Sequence, residues 1–516
     1  MLVPLAVATL LFSADAPSPA GGRVVAASLF KNGYAVVVRE IPVTDGKATV
    51  GEVPRAALGT LWFVPAEGAQ LRSVVSSVVK TKTPAPLSSL EEVLAANVGQ
   101  SVQVAFATED PALGKAQTGR IVSAEGQLLV LSTAAGTVAL PKAAIRSVLS
   151  ASGTLKWQKE VETTKRVVRI ETQGAPSGKV LMVSLERGLL WSPSYAIDVS
   201  DPKRLKVLCK ATLVNDLADL RQADLRLITG FPNVPFAAID EPLTAGTTAD
   251  QVVASLLRAG TPEVARREGM MLAQNAVAAD RMDFGAAFDV PSAPPGEQLE
   301  DLFFYRLPGV ELAKGDRGLY YLLASESDYE HLYTWDVADP MVGRPEPERL
   351  PDEAGEVWNC LKFANKSGQP WTTAPATVLR DGQILGQDTM RYTGRDAEAL
   401  VRITKALDVR AQVREEEVSR ERGAIRNSAG NPIFDLVTVK GTLSVINAKP
   451  QEIRLRIRKE LTGEVEQTTG SVRVTKTAKG IRDANPTARL EWIETVAPAG
   501  TLERTYTYKV YVPSRG

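Results

Sequence analysis

The sequence predicts a mainly β protein made of several modules, and three observations carry that expectation. Apolar and polar residues alternate with a period of two in many runs, as Ile453, Leu455 and Ile457 do against Arg454, Arg456 and Arg458, which is the spacing of a half-buried strand. The 39 Gly and 32 Pro punctuate those runs at short intervals, which suits a chain with many turns. A length of 516 residues also exceeds the roughly 250–300 residues that one hydrophobic core serves, so the chain divides.

The first stretch, Leu2 to Phe12, is apolar but well short of the ~20 residues a membrane-spanning helix needs. Ser13, Ala14, Asp15 and Ala16 follow it in a small-x-small pattern, so residues 1–16 read as a signal peptide. The expected location is exported, periplasmic or extracellular, with no transmembrane anchor.

Residues 23–83 read as an N-terminal β-sheet region, with tight turns at Asn32-Gly33, Thr44-Asp45-Gly46 and Glu67-Gly68. Thr83-Pro84-Ala85-Pro86 reads as a linker, because Pro cannot continue a strand ladder. Residues 87–150 open with SLEEVLAAN, where Ser89 and Glu92 have capping-box spacing, and continue with five short strand candidates: SVQVAF, GRIVS, QLLVL, TVAL and IRSVL. One short helix before five closely connected strands predicts a small Sm-like or SH3-like barrel.

Regular strands with turn punctuation then predict β-sandwich modules of immunoglobulin or fibronectin type, in a first region at 151–345 and a C-terminal region at 350–516. Three strands end in Asn at a turn, at Asn215, Asn365 and Asn447, a faint internal repetition. Near the C-terminus Tyr506, Tyr508, Val510 and Val512 share one strand face. An insertion at 237–300 interrupts the first region and reads as helical or disordered. Its helical candidates are Ala249 to Arg258 and a second stretch opened by Thr261-Pro262.

Balanced charge, 60 basic against 60 acidic residues, gives no global field toward nucleic acid, and no nucleic-acid partner is expected. A single histidine, His331, limits metal and Ser-His-Asp chemistry, and no G-x-S-x-G elbow or phosphate-cradling glycine loop occurs. No metal site, cofactor or catalytic set is therefore assigned. Tyr329, His331, Tyr333 and Trp335 recur on one side of a strand, either as an aromatic contact platform or as a face packed on a sister sheet. Arg454, Arg456 and Arg458 form a ladder that either grips an anionic polysaccharide or is the wet face of a sheet. Glu415, Glu416 and Glu417 sit in a mixed charge run that reads as a solvated face. Cys209 and Cys360 are a possible disulfide in an oxidising compartment, or two buried thiols.

Several blocks resemble the mucoidy-inhibitor-like family built on domain of unknown function 4139. They are GLLWSPSYAIDV (Gly188 to Val199), KATLVNDLADLRQADLRLITGFP (Lys210 to Pro232), FYRLPGVELAKGDRGLYYLL (Phe304 to Leu323), EHLYTWDV (Glu330 to Val337) and DGQILGQDTM (Asp381 to Met390), and the opening FKNGYAVVVRE fits as well. The resemblance implies an exported bacterial protein with β-sandwich domains, no established catalytic residues and some connection with capsule or exopolysaccharide. Relatives often carry a long coiled coil where this chain has the small barrel.

The expected function is that of a non-enzymatic envelope protein whose modules bind another protein or a surface glycan. One alternative is a carbohydrate-active or peptidase-like hydrolase using carboxylates, which for glycoside chemistry needs two acids roughly 5–9.5 Å apart in a cleft. Another is a structural spacer in an envelope assembly. Oligomeric state is left open.

Overall fold

The turns expected at Asn32-Gly33 and Asp45-Gly46 join Arg23–Leu29, Tyr34–Thr44 and Lys47–Val50 into hairpins, with Gly33, Asp45 and Gly46 all at positive φ (84°, 51° and 69°). The computed structural model describes residues 21–110, 114–150, 153–230, 234–259, 297–299, 302–339, 352–477 and 484–514. The signal-peptide stretch 1–16 and the helix candidate at Thr261-Pro262 lie outside them. Strand makes up 68% of the structure and helix 4%, so the protein is mainly β, in four sheets of which none closes into a barrel.

Two ten-stranded sheets face each other across the first core. The first takes Arg23–Leu29, Tyr34–Thr44, Leu220–Thr229 and Leu302–Leu312 along its centre, and Arg23–Leu29 runs parallel to Leu220–Thr229. The second takes Leu189–Asp198, Arg204–Asn215 and Arg317–Val337. Val37, Leu225 and Tyr305 from one sheet meet Trp191, Leu213 and Val401 from the other, all buried. The 21-residue strand Arg317–Val337 is shared between cores. Its first part pairs with Arg204–Asn215, while its last part pairs with Val357–Ala364 and runs parallel to Ile453–Thr462. Tyr333 and Trp335 there enter a second core, closed by a five-stranded sheet that includes Val409–Arg426, Pro432–Asn447 and Thr501–Pro513. Tyr506, Tyr508 and Val510 point into that core and Val512 packs at its margin, as their alternation predicts.

Sheet membership crosses the boundaries drawn from sequence. Residues 23–50 share a sheet with Gln158–Gln173, Ser177–Arg187, Leu220–Thr229 and Leu302–Leu312, and Leu361, Phe363, Val401 and Ile403 belong to the first core although they follow the expected division at 345–350. Long-range strand pairing sets these memberships, and turn punctuation carries no information about it.

The Asn repetition is structural. Asn215, Asn365 and Asn447 are buried at 0%, 1% and 0% exposure. Each Nδ2 reaches three backbone carbonyls: Ala218, Leu312 and Ala313 for Asn215, Gln369, Thr393 and Gly394 for Asn365, and Gln451, Val496 and Ala497 for Asn447, all within 2.8–3.3 Å. Each Oδ1 accepts the amide two residues on, from Leu217, Ser367 and Lys449. Each Asn lies at the end of the first strand of a nested arrangement, in which an outer antiparallel pair (Arg204–Asn215 with Arg317–Val337, Val357–Ala364 with Glu398–Lys405, Pro432–Asn447 with Thr501–Pro513) brackets an inner one (Leu220–Thr229 with Leu302–Leu312, Ala374–Arg380 with Gln383–Met390, Ile453–Thr462 with Thr487–Val496).

The expected linker at Thr83–Pro86 is instead strand. Gln70–Pro86 pairs with Gln158–Gln173 through Pro86 opposite Gln158, making a two-stranded ribbon. Pro84 and Pro86 are tolerated because the ribbon needs a donor only at alternate residues and Gln70–Pro86 is an edge. The ribbon carries residues 87–157 at its tip, where Leu87 donates to the Trp157 carbonyl at 2.9 Å. The helix Leu90–Ala96 forms as expected, capped by Ser89 Oγ, and the five strand candidates form one open sheet in the order 145–150, 101–110, 114–123, 128–133, 136–141. Within the insertion the described residues hold the helix Ala249–Ala259.

Candidate functional site

A cleft of about 1270 Å³ lies against the strands Tyr34–Thr44 and Ser177–Arg187. Its wall is the loop through residues 52–57, held between two partners. Ala57 donates to the Leu185 carbonyl, Leu58 to Ile239, and Glu241 to Ala56, each at 2.8 Å, and Glu241 Oε2 accepts the Gly59 amide at 2.8 Å.

On the floor, Arg39 and Glu186 form a buried two-pronged pair, with Nη2 to Oε2 at 2.9 Å, and Ser184 Oγ also donates to Glu186. Both side chains are nearly inaccessible, 6% and 2% exposed, so each supplies the counter-charge the other's burial demands. Beside them Arg187 donates to the Tyr34 hydroxyl and lies 4.6 Å over its ring, and that hydroxyl donates to the Ala237 carbonyl at 3.1 Å.

The lining acids are held by cations and amides. Lys179 at 2.7 Å, aided by Arg23, draws the Glu40 carboxyl below the usual range. The Lys314 backbone amide at 3.0 Å, aided by Arg221, does the same for Asp219. Asp216 pairs with Arg317 at 3.0 Å. A general acid for glycoside hydrolysis needs its pKa raised, whereas Glu40 and Asp219 move the other way. Arg55 and Lys314 line the same cleft with side chains that have no ion-pair partner among the described residues.

The four aromatic positions do not form one platform. Tyr333 and Trp335 are core residues, 5% and 2% exposed, so the contact role expected for them is corrected: the face they share packs on the five-stranded sheet. Tyr329 and His331 remain at the margin, edge to face at 5.7 Å, with His331 Nδ1 2.9 Å from Asn359 Oδ1. In the arginine ladder, Arg454 pairs with Glu330 at 2.7 Å and Arg458 with Glu491, while Arg456 has no partner among the described residues. Cys209 and Cys360 are both buried and free, so the possible disulfide is absent and the paired-thiol reading is corrected. Glu415 is likewise not on a solvated face but fully buried against Lys459.

Sequence reading missed Arg39, Glu186, Glu415 and Lys459. The signal was present in their parity: each falls in phase with the buried positions of its strand, as in the alternation of Tyr34–Thr44 and of Ile453–Thr462.

Among the described residues, no cluster of three or more His, Cys, Asp or Glu is placed to hold a metal ion, and no helix is long and apolar enough to cross a membrane. No protein-family model matches the chain, and no curated protein matches it either.

Proposed function

We propose that this is an exported, non-enzymatic envelope protein of the mucoidy-inhibitor-like family that binds a protein or surface glycan in the cleft beside Arg39 and Glu186. The cleft itself carries the reading: its size suits a ligand, its floor is fixed by a buried ion pair, and its acids with displaced titration are held ionised. Fixed charge of both signs favours recognition over proton transfer. The family assignment rests on the sequence blocks from Gly188 to Met390 and the export assignment on residues 1–16.

The same proposal includes the finer fold. Two pairs of layers with a repeated nesting of antiparallel strand pairs support immunoglobulin-like β-sandwich modules. A capped helix leading into a five-stranded sheet whose last strand lies beside its first supports an Sm-like unit at the ribbon tip.

The test is affinity capture from cross-linked envelope extract with the protein from Pro17 onward, comparing it with an Arg55→Glu/Lys314→Glu double variant. One protein or polysaccharide enriched by the parent and lost with the variant is expected. Identical eluates from the two baits would sink the assignment of this cleft.

A further inference from the structure

A second recess, of about 470 Å³, opens where the shared strand Arg317–Val337 meets Ile453–Thr462 and the residues after Gln383–Met390. Thr334 stands opposite Arg456 and Asp336 opposite Arg458 in the parallel register. We propose that this recess is a binding site for the carboxylate of an acidic saccharide, with Arg456 and Arg391 as its anion-holding pair and Tyr392 as its stacking surface.

Charge accounting around the recess carries the argument. Asp336 is taken by Arg402 at 3.1 Å, Glu398 by Lys362 at 2.7 Å, and Asp388 Oδ2 accepts the Arg402 backbone amide at 2.7 Å. Arg458 is taken by Glu491. Arg456 and Arg391 are left as lining guanidiniums without an ion-pair partner among the described residues. Arg456 Nε is buried and makes no hydrogen bond, a state that costs free energy until an acceptor arrives. Burial, and then the neighbouring Arg458, disfavour its charge and outweigh the opposing pull of Asp336 and Glu491, neither of which bonds to it; a carboxylate bound in the recess adds to that opposing pull.

The lining also distinguishes a sugar from an acidic peptide. Tyr392 is 62% exposed beside Arg391, an amphipathic ring free to stack on a pyranose face. Asp336, Asp388 and Glu398 would repel a run of carboxylates, but they accept hydrogen bonds from hydroxyls, which surround the single charge of each uronate ring.

Calorimetric titration of the full chain with trigalacturonate, maltotriose, hexaglutamate and sodium sulfate, at low and moderate salt, tests the proposal. Trigalacturonate should bind, maltotriose should not, and both Arg456→Gln and Arg391→Ala should weaken binding at least about tenfold. Arg456→Lys, which keeps charge without the planar fork, should restore only part of the affinity. Arg391 is exposed, so its variant remains informative if Arg456→Gln fails to fold. The cleft variant Arg55→Glu/Lys314→Glu should bind trigalacturonate as the parent does, which separates failure here from failure of the cleft. No trigalacturonate binding, undiminished binding in both arginine variants, or equal binding of hexaglutamate or of sulfate alone would overturn it.

Discussion

Lys459 Nζ lies 3.3 Å from Glu415 Oε1 with both side chains at 0% exposure, an ion pair enclosed within the second core. Tyr506 donates its hydroxyl to the same carboxylate, Tyr508 approaches it at 3.5 Å, and Lys459 also donates to the Ala338 carbonyl at 3.1 Å. Burial, and then Glu415, push both tyrosine hydroxyls far above their ordinary range, so they remain donors. Removing one charge strands the other: Lys459→Met should cost about 3–5 kcal/mol in denaturant unfolding. Lys459→Met/Glu415→Gln, with both charges gone, should recover a good part of that. A double variant no more stable than the single would show that the pair is not the cause.

The three asparagine corners predict a common defect. Each Nδ2 is the donor for carbonyls on a turn joining two later strands, so Asn→Ala leaves several buried acceptors without it. Asn215→Ala, Asn365→Ala and Asn447→Ala should each cost about 2–5 kcal/mol, from unsatisfied groups at 1–3 kcal/mol apiece. Asn→Asp, nearly isosteric but lacking the donor, should do no better than Ala. Urea midpoints within error of the parent for any one of the three would refute the shared role.

Much of this was legible because period-two alternation is a local signal. It placed the strands of residues 87–150, the C-terminal Tyr506–Val512 face and the Asn-terminated strands correctly. What it could not place was pairing between remote segments. Pro84 and Pro86 read as a break because the partner strand that tolerates them begins at Gln158. Trp335 read equally as a contact residue or a packed one because the sheet that buries it comes from residues 352–513. Arg39, Glu186, Glu415 and Lys459 sat in phase with apolar neighbours, but each is explained only by its partner, 147 residues away for the first pair. The Arg456 recess is the converse: the ladder was visible, and only the structure separates the two members with partners from the one without.

Glu92 ties the tip unit to the ribbon. Lys159 at 2.6 Å, then the Ser88 amide and hydroxyl, hold its carboxyl down to about 2 from the ordinary 4.5. A depressed carboxylate stabilises fully above its unfolded pKa, and that contribution fades as pH falls from about 4.5 toward about 2. Hydrogen exchange of the Leu90–Ala96 amides should therefore be slower in the parent than in Glu92→Gln near neutral pH, with the ratio closing over that window. A ratio unchanged down to about pH 2 would mean the carboxylate is not what fastens the helix.

The two cysteines offer the most direct check on the cores. Burial pushes the Cys209 thiol up to about 12 and raises that of Cys360, whose sulfur lies 3.4 Å from the Thr334 hydroxyl. A thiol reacts as thiolate, and both are enclosed, so neither should react with a thiol-exchange reagent while the protein is folded. Two equivalents should react once it is unfolded. A bridge between them would close a loop long enough to contribute about 5 kcal/mol, so reductant would lower the melting temperature if one formed. The expected result in protein kept under oxidising conditions is no change on reduction and two titratable thiols after unfolding. A mass lower by two hydrogens, with a melting temperature that reductant lowers, would instead require the two strands to approach each other.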